Sequence, residues 1–275
     1  MKKTTYIIGG IVILGLPIWI CIMTIMEMTG YYDPTVTMTG AQTTRPLADF
    51  DTVRIMTDSH VIADEGLNIF IEYSAEADTT SLICQEGYDE YMKCDVMNGT
   101  LNVSFESKLI DGAGKDDEND FEKRKYVRFR AEPIKIVINK PIAEVVDGRV
   151  NVKITDVKSE SLTLKTDGRI ALENSNFDSL SIRPFEDLRW TDARIKFNNS
   201  KVGRVSMMNF YRLPELRFDD DTSGIGQVTI FGCDKIKLDF NVDSDHIDNM
   251  VFIPAEKESR IAVVSQGIMT ANFGK

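Results

Sequence analysis

An internal repeat is the feature of this sequence that most constrains its fold. The stretch from Arg169 to Ile182 aligns without gaps with the stretch from Arg194 to Met207, at an offset of 25 residues. In both stretches apolar residues recur in pairs one residue apart, which is the period of a β-strand. Short strands that repeat evenly, with Asn-Ser or Gly turns between them, are typical of a solenoid whose coils lie parallel on one another. The repeat therefore predicts an all-β fold, a right-handed parallel β-helix.

The same alternation occurs before the repeat. It is seen at Val53–Ile55, Leu67–Ile71, Leu82–Cys84, Leu101–Phe105 and Ile134–Ile138. Asn98 and Gly99 predict a tight turn directly before one of these strands, because both residues accept positive φ. Short strands at about 8–12-residue spacing also suit an antiparallel β-sandwich, which stays the alternative fold.

The N-terminal part of the chain is an uncharged apolar run. Lys2 and Lys3 precede it, and no acidic or basic residue follows until Glu27. About 20 such residues cross a bilayer, and the bulky residues from Ile18 to Met23 do not suit cleavage by signal peptidase. Basic residues at the start predict a cytoplasmic N-terminus. We therefore expect an uncleaved transmembrane helix and an exported main domain.

These features divide the chain into three parts. Residues 1–28 are the predicted transmembrane signal anchor, 29–46 a spacer without apolar periodicity, and 47–275 the β-solenoid domain. A charged stretch at about 108–125 predicts a mobile acidic loop within that domain. The expected location is a bacterial envelope, in the inner membrane by a single pass, with the main domain periplasmic or extracellular.

Charge and cysteine content limit the partners. A net charge of −11 argues against binding to nucleic acid and to anionic lipid surfaces. No metal-ligand spacing appears among the cysteines. Cys84 and Cys94 flank a polar stretch, so a disulfide between them is one expectation for an oxidising compartment, and two separate buried thiols are the other.

Three segments carry a family resemblance: Leu47 to Ile55, Leu67 to Glu72, and Cys94 to Val103. With the alternating strands that follow, residues 47–265 resemble the head GIN domain family, whose members are described as auto-transporter adhesins. The resemblance implies a bacterial, exported β-solenoid and brings no catalytic residues. The chain departs from the family pattern in having fewer glycines between its strands.

Residues that could carry chemistry are few. The two histidines, His60 and His246, lie in no catalytic motif, and no nucleotide-binding or nucleophile motif is present. Asp219, Asp220 and Asp221 could serve a glycosidase or a calcium site, but they also suit a polar turn at a strand end. No cofactor or metal is predicted.

Aromatic residues in predicted connections offer a different role. Trp190, Phe210 and Tyr211 lie close to arginines and could contact a sugar or a partner protein, although packing in the core would also explain them. Together these observations predict a non-enzymatic, membrane-anchored envelope protein for adhesion, binding or scaffolding, whose partner is an envelope protein or glycan. The alternative is an envelope polysaccharide lyase or hydrolase on a parallel β-helix.

Overall fold

The structure is a computed structural model of all 275 residues. It describes residues 17–22, 35–57, 61–62, 67–105, 127–185, 193–208, 210, 214–231, 235–238, 246–253, 260–263 and 271–273. Residues 17–22 are helical, and within the described ranges no helix is long and apolar enough to cross a membrane. Most of the predicted anchor and the whole acidic loop at 108–125 lie outside those ranges.

Apart from that helical turn and a 3₁₀ turn at Tyr88–Glu90, the regular structure of the described residues is entirely β. The strands are β1 (Thr35–Thr37), β2 (Gln42–Pro46), β3 (Thr52–Thr57), β4 (Val61–Ile62), β5 (Asn68–Tyr73), β6 (Ser81–Gln85), β7 (Met92–Met97), β8 (Thr100–Phe105), β9 (Val127–Arg130), β10 (Ile134–Ile138), β11 (Glu144–Asp147), β12 (Asn151–Thr155), β13 (Lys158–Thr166), β14 (Arg169–Glu173), β15 (Asn176–Pro184), β16 (Arg194–Asn198), β17 (Lys201–Met208), β18 (Glu215–Phe218), β19 (Gly224–Phe231), β20 (Lys235–Leu238), β21 (Ile247–Ile253), β22 (Arg260–Val263) and β23 (Ala271–Phe273). The prediction of an all-β protein is confirmed.

Two large sheets contain most of these strands. The order is β18-β16-β14-β12-β5-β10-β6-β2 in the eight-stranded sheet and β23-β21-β19-β17-β15-β13-β11-β3-β8-β7 in the ten-stranded sheet. From β11 to β19 successive strands alternate between the two sheets, and from β13 to β19 each strand pairs with the one two places earlier in the chain. We call a strand of the eight-stranded sheet together with the next strand, in the ten-stranded sheet, a repeat unit: β12–β13, β14–β15, β16–β17 and β18–β19.

The internal repeat of the sequence appears directly in the strand pairing. Arg169 pairs with Arg194 in β14 and β16, and Asn176 pairs with Lys201 in β15 and β17. The 25-residue offset is thus the step from the unit β14–β15 to the unit β16–β17, whereas the step before it is 18 residues, from Asn151 to Arg169, and the step after it is 21, from Arg194 to Glu215. Pairing among the repeat units is parallel, whereas antiparallel pairing among the described strands is confined to β6 with β2 and β10 and to β7 with β8. Both sheets are therefore mixed, and neither closes on itself over these strands.

The core lies between the two sheets. Alternate residues of each strand are buried, as in the Val152 and Ile154 positions of β12 and the Leu162 and Leu164 positions of β13. Side chains from both sheets belong to one hydrophobic cluster. Each fully buried aliphatic or aromatic side chain contributes about 1.5–3 kcal/mol. This shared cluster explains why the period-two pattern predicted the strands correctly.

The folded part begins earlier than the predicted spacer allows. β1 and β2 lie within residues 29–46, and β2 pairs antiparallel with β6 at the edge of the eight-stranded sheet. Most side chains of β2 are exposed and none is a large apolar residue, so this edge strand shows no hydrophobic alternation. The predicted turn at Asn98 and Gly99 is confirmed, since both have positive φ and join the antiparallel strands β7 and β8.

Candidate functional site

The connections from the eight-stranded to the ten-stranded sheet form one corner of the protein. In three consecutive repeat units only two residues separate the strands, and the first of them has positive φ: 62° at Asp156, 49° at Asn174 and 47° at Asn199. Asn and Asp enter this left-handed region more readily than other residues with a side chain. The recurring Asn-Ser pairs of the sequence are therefore the residues that turn the chain at this corner.

The residues that follow form a column of buried serines. Ser175, Ser200 and Ser223 are at most 4% exposed. The amide of Ser175 donates to Ser200 Oγ and the amide of Ser200 donates to Ser223 Oγ, both at 3.0 Å. The amide of Val157 donates to Ser175 Oγ at 3.2 Å. Because buried backbone amides need an acceptor, the serine column carries the inter-strand hydrogen bonding through the corner.

Asp220 completes this column in the last repeat unit, where the corner is five residues long. Its Oδ1 accepts from the amides of Thr222 and Ser223, both at 2.7 Å, and its Oδ2 accepts from Ser223 Oγ and from the amide of Asn199. Desolvation raises the pKa of this carboxyl, but the hydrogen bonds from Thr222, Asn199 and Ser223 outweigh it and hold the pKa well below its usual range. The carboxylate thus replaces a backbone carbonyl as acceptor.

A groove of about 710 Å³ follows this corner. Its lining consists of Tyr73, Asp156, Lys158, Asn174, Asn176, Asn199 and Lys201. Two rows of exposed side chains run along it. The corner row is Asp156, Asn174 and Asn199, in which Asn199 Nδ2 donates to Asn174 Oδ1 at 2.8 Å. The lysine row is Lys158, Asn176 and Lys201, which are register partners at the starts of β13, β15 and β17.

A second depression, of about 660 Å³, continues the groove beyond Lys201. Gly203 and Gly226 form part of its wall. A Cβ at either position would lie 2.8 Å from a carbonyl oxygen of the preceding strand in the ten-stranded sheet, so only glycine fits there. Asp221 and Asp248 also line this depression. The groove is thus basic and amide-rich at one end and acidic at the other.

A stack of rings lies beside the depression. Phe197 stacks on Phe218 at 5.1 Å between centroids, and Phe218 stacks on His246 at 4.6 Å with an interplanar angle of 7°. His246 Nδ1 lies 2.8 Å from the carbonyl oxygen of Ser223. Since a carbonyl oxygen only accepts, Nδ1 is the donor in this bond. His246 is therefore locally bonded at the edge of the site, and His60 lies outside the described residues.

The three consecutive aspartates have separate roles. Asp219 forms an ion pair with Lys196, and Asp220 is engaged in the serine column. Asp221 is exposed and lines the depression. Within the described residues no group of three or more His, Cys, Asp or Glu side chains could hold a metal ion. Asp219 and Asp220 therefore lie in a polar connection at the end of β18 and are bonded to groups of the protein, as the turn interpretation predicts.

The predicted aromatic contact residues do not form a surface in the described part of the chain. Phe210 is 3% exposed and belongs to the hydrophobic core, so its ring does not face a partner. This corrects the prediction for Phe210, whose apolar ring gains more from burial than from exposure beside the sheets. Trp190 and Tyr211 lie outside the described residues.

Both cysteines of the expected disulfide are free in the structure. Cys84 is buried and Cys94 is partly buried against the core. Burial raises the pKa of both thiols, and the positive charge of Arg45 opposes this rise. The alternative of two separate thiols thus describes these residues.

A buried carboxyl occupies the opposite corner, where β11 leads to β12. Asp147 is 0% exposed; its Oδ1 accepts from the amide of Val150 at 2.9 Å and its Oδ2 from Thr166 Oγ1 at 3.0 Å. Burial raises its pKa to about 7, although these two hydrogen bonds lower it. Gly168 packs so closely that a Cβ would lie 2.3 Å from Asp147 Oδ2. Asp147 was not among the candidate residues that the sequence indicates.

The groove residues were also not among the candidates, although the sequence contains a signal for some of them. The gapless alignment at 25 residues already places Asn176 against Lys201, one residue after the turn in each unit. A search for polar residues at equivalent positions of the repeat would have found Asn176 and Lys201 of the lysine row, but not Lys158, which lies outside both aligned stretches. The same alignment pairs Asn174 with Asn199 of the corner row, and Asp156 lies outside it.

Comparison with known proteins places the chain only loosely. No family model and no curated protein matches it. It resembles the solved structure of a protein from Parabacteroides distasonis provisionally described as lipid-binding, with 14% identity over 88% of this chain and 100% of that one, at a TM-score of 0.38. It also resembles a protein from Bacteroides fragilis provisionally described as an adhesin, with 12% identity over 86% of this chain and 99% of that one, at a TM-score of 0.49. A third, from Parabacteroides merdae and likewise described, has 13% identity over 87% of this chain and 98% of that one, at a TM-score of 0.35. At these identities and TM-scores the resemblances assign no function to this chain.

Proposed function

We propose that the protein is a non-enzymatic, membrane-anchored protein of a bacterial envelope that binds polysaccharide in the corner groove. The observation that carries the proposal is the groove itself, with exposed amide and ammonium groups in two rows at the spacing of the strands. Amides and ammonium groups bind the hydroxyl oxygens of sugars as donors, and Tyr73 adds an aromatic ring and a hydroxyl at one end. Such a lining suits an extended polar ligand.

The proposal includes the architecture and its cellular context. We infer that the two large sheets are faces of a right-handed parallel β-helix, because the repeat units pair in parallel with their neighbours in both sheets and because two of them carry the internal repeat. The uncharged N-terminal run would anchor this domain in the inner membrane, outside the cytoplasm. Membership of the head GIN domain family belongs to the same proposal and is supported by the segments that begin at Leu47, Leu67 and Cys94.

The hydrogen bonding of the acidic segment beside the groove favours binding over turnover. Asp220, the central acid of the Asp219 to Asp221 segment, already accepts five hydrogen bonds from its own corner and from Asn199. A general acid must instead be free to donate a proton to the glycosidic oxygen. The engagement of this carboxylate therefore supports a binding role for the groove.

Affinity electrophoresis of the full-length protein in detergent, through gels containing soluble polysaccharides, tests the proposal. We expect retardation by at least one polysaccharide, and a loss of about two- to tenfold in affinity for Asn176→Ala, since one hydrogen bond contributes about 0.5–1.5 kcal/mol. Asn102→Ala on the outer face of the ten-stranded sheet is the matched control and should bind like the wild type. Failure of every polysaccharide to retard the protein would refute binding. Release of new reducing or unsaturated ends would instead support the lyase or hydrolase alternative.

A further inference from the structure

The lysine row carries a positive charge at every second position. Lys158 pairs with Asn176, and Asn176 pairs with Lys201, on three neighbouring strands of the ten-stranded sheet. Neighbouring strands are about 4.8 Å apart, so the backbones of the two lysines are about 9.6 Å apart. That distance is close to the length of one disaccharide in an extended polysaccharide. All three side chains are exposed to solvent.

Four other lysines of the described residues form ion pairs that these two lysines lack. The ion pairs are Lys140 with Asp49, Lys153 with Glu173, Lys165 with Glu144, and Lys196 with Asp219. Within the described residues neither Lys158 nor Lys201 has an ion-pair partner, although the chain carries 43 acidic residues against 32 basic ones. Two unneutralised ammonium groups in one groove of an acidic protein are suited to an anionic ligand.

The surroundings limit how densely that ligand is charged. Asn176, between the two lysines, offers an amide that hydrogen-bonds neutral groups. Asp156 stands in the corner row, and Asp221 and Asp248 line the depression beyond Lys201. A polymer with a negative charge on every sugar would place carboxylates against these acids, and like charges repel.

Resting on the proposed function, we propose that the groove binds an acidic polysaccharide that is charged at every second sugar. One anionic group binds Lys158 and the next binds Lys201, while the neutral sugar between them binds Asn176. The groove and the depression together cross the five strands from β13 to β21, about 19 Å, which accommodates about four sugars.

Isothermal titration of the full-length protein in detergent with three tetrasaccharides tests this inference. The probes are a hyaluronan tetrasaccharide with alternating carboxylates, cellotetraose without charge, and tetragalacturonate with a carboxylate on every sugar. We expect the hyaluronan tetrasaccharide to bind most tightly. Lys158→Gln and Lys201→Gln should each weaken its binding about two- to fivefold, which is the effect of losing one exposed charge pair. Lys140→Gln, outside the groove, is the control and should bind the hyaluronan tetrasaccharide like the wild type.

The outcomes separate this inference from the proposed function. Equal binding of all three probes, or tightest binding of cellotetraose or of tetragalacturonate, overturns the alternating-charge inference and leaves polysaccharide binding in place. Hyaluronan binding that Lys158→Gln and Lys201→Gln do not affect overturns the inference as well. If none of the tetrasaccharides binds, and no polysaccharide retards the protein in gels, both proposals are refuted.

Discussion

Replacement of Asp147 by asparagine tests whether one buried carboxyl makes the stability of the protein depend on pH. The side chain is 0% exposed, and burial raises its pKa to about 7 against an ordinary value of 3.8. A raised pKa means that the folded state holds the proton more tightly than the unfolded chain. The stabilising contribution is therefore fully present below about pH 3.8 and is lost as the pH rises through about 7.

The size of the effect follows from the two pKa values. Each unit between them corresponds to about 1.4 kcal/mol, so the roughly three units at Asp147 correspond to about 4 kcal/mol over the whole range. Between pH 5 and pH 8 the expected loss in the free energy of unfolding is about 3 kcal/mol from this group. Asparagine does not titrate, so the Asp147→Asn variant lacks this contribution.

The measurement is urea unfolding of the full-length protein in detergent, followed by circular dichroism at pH 5, 6, 7 and 8. The difference in the free energy of unfolding between wild type and Asp147→Asn should change by about 3 kcal/mol across this range. Asp156→Asn is the matched control, because its side chain is exposed at the other corner and asparagine suits its positive φ. Parallel pH curves for the wild type and Asp147→Asn would refute the assignment of a raised pKa to this carboxyl.

Three further substitutions test the corner. Ser200→Ala leaves a buried amide without its acceptor and should lower the free energy of unfolding by about 1–3 kcal/mol, whereas Ser206→Ala on the outer face should change it little. Urea unfolding measures both variants. Equal effects would contradict the role of the serine column. Gly226→Ala places a Cβ 2.8 Å from a carbonyl oxygen and should lower the melting temperature. Gly224→Ala should not, because the nearest atom to its Cβ would be 3.6 Å away. Similar melting temperatures for the two variants would contradict the close packing at Gly226. The lowered pKa of Asp220 means that its carboxylate contributes to the free energy of unfolding above about pH 3.8, and that this contribution is lost as the pH falls below that value. Asp220→Asn should therefore reduce the loss of stability at acidic pH. An unchanged loss at acidic pH would exclude a stabilising role for this carboxylate.

The strands of the repeat units could be predicted because their signal is local. Alternate burial along a strand requires only that one face meets the core, and the positions at Leu162 and Leu164 show it plainly. The step between units was also accessible, since parallel strands in register bring equivalent residues such as Asn176 and Lys201 together. The edge strand β2 was not predicted, because a strand with a solvated face and no large apolar residue has no alternation to detect.

The candidate site could be predicted only in part. The sequence identifies Asp219 to Asp221 as a polar segment, but the role of Asp220 depends on the amide of Asn199, which is 21 residues away and is positioned by the pairing of the sheets. Asp147 lies in a Val-Asp-Gly segment typical of an exposed turn, and its burial follows from the close approach of Gly168. Such contacts are set by register between repeat units, which no single unit encodes.

The side-chain acceptor at Asp220 has a consequence for how such a protein can vary. The amide of Asn174 donates to the main-chain carbonyl of Asn198 in a short connection, whereas the equivalent amide of Asn199 donates to the Asp220 carboxylate in a longer one. Insertions of a few residues at this edge are then compatible with unchanged stacking in the interior. The surface that contacts a ligand can therefore vary from one repeat unit to the next, while the register between the strands is unchanged.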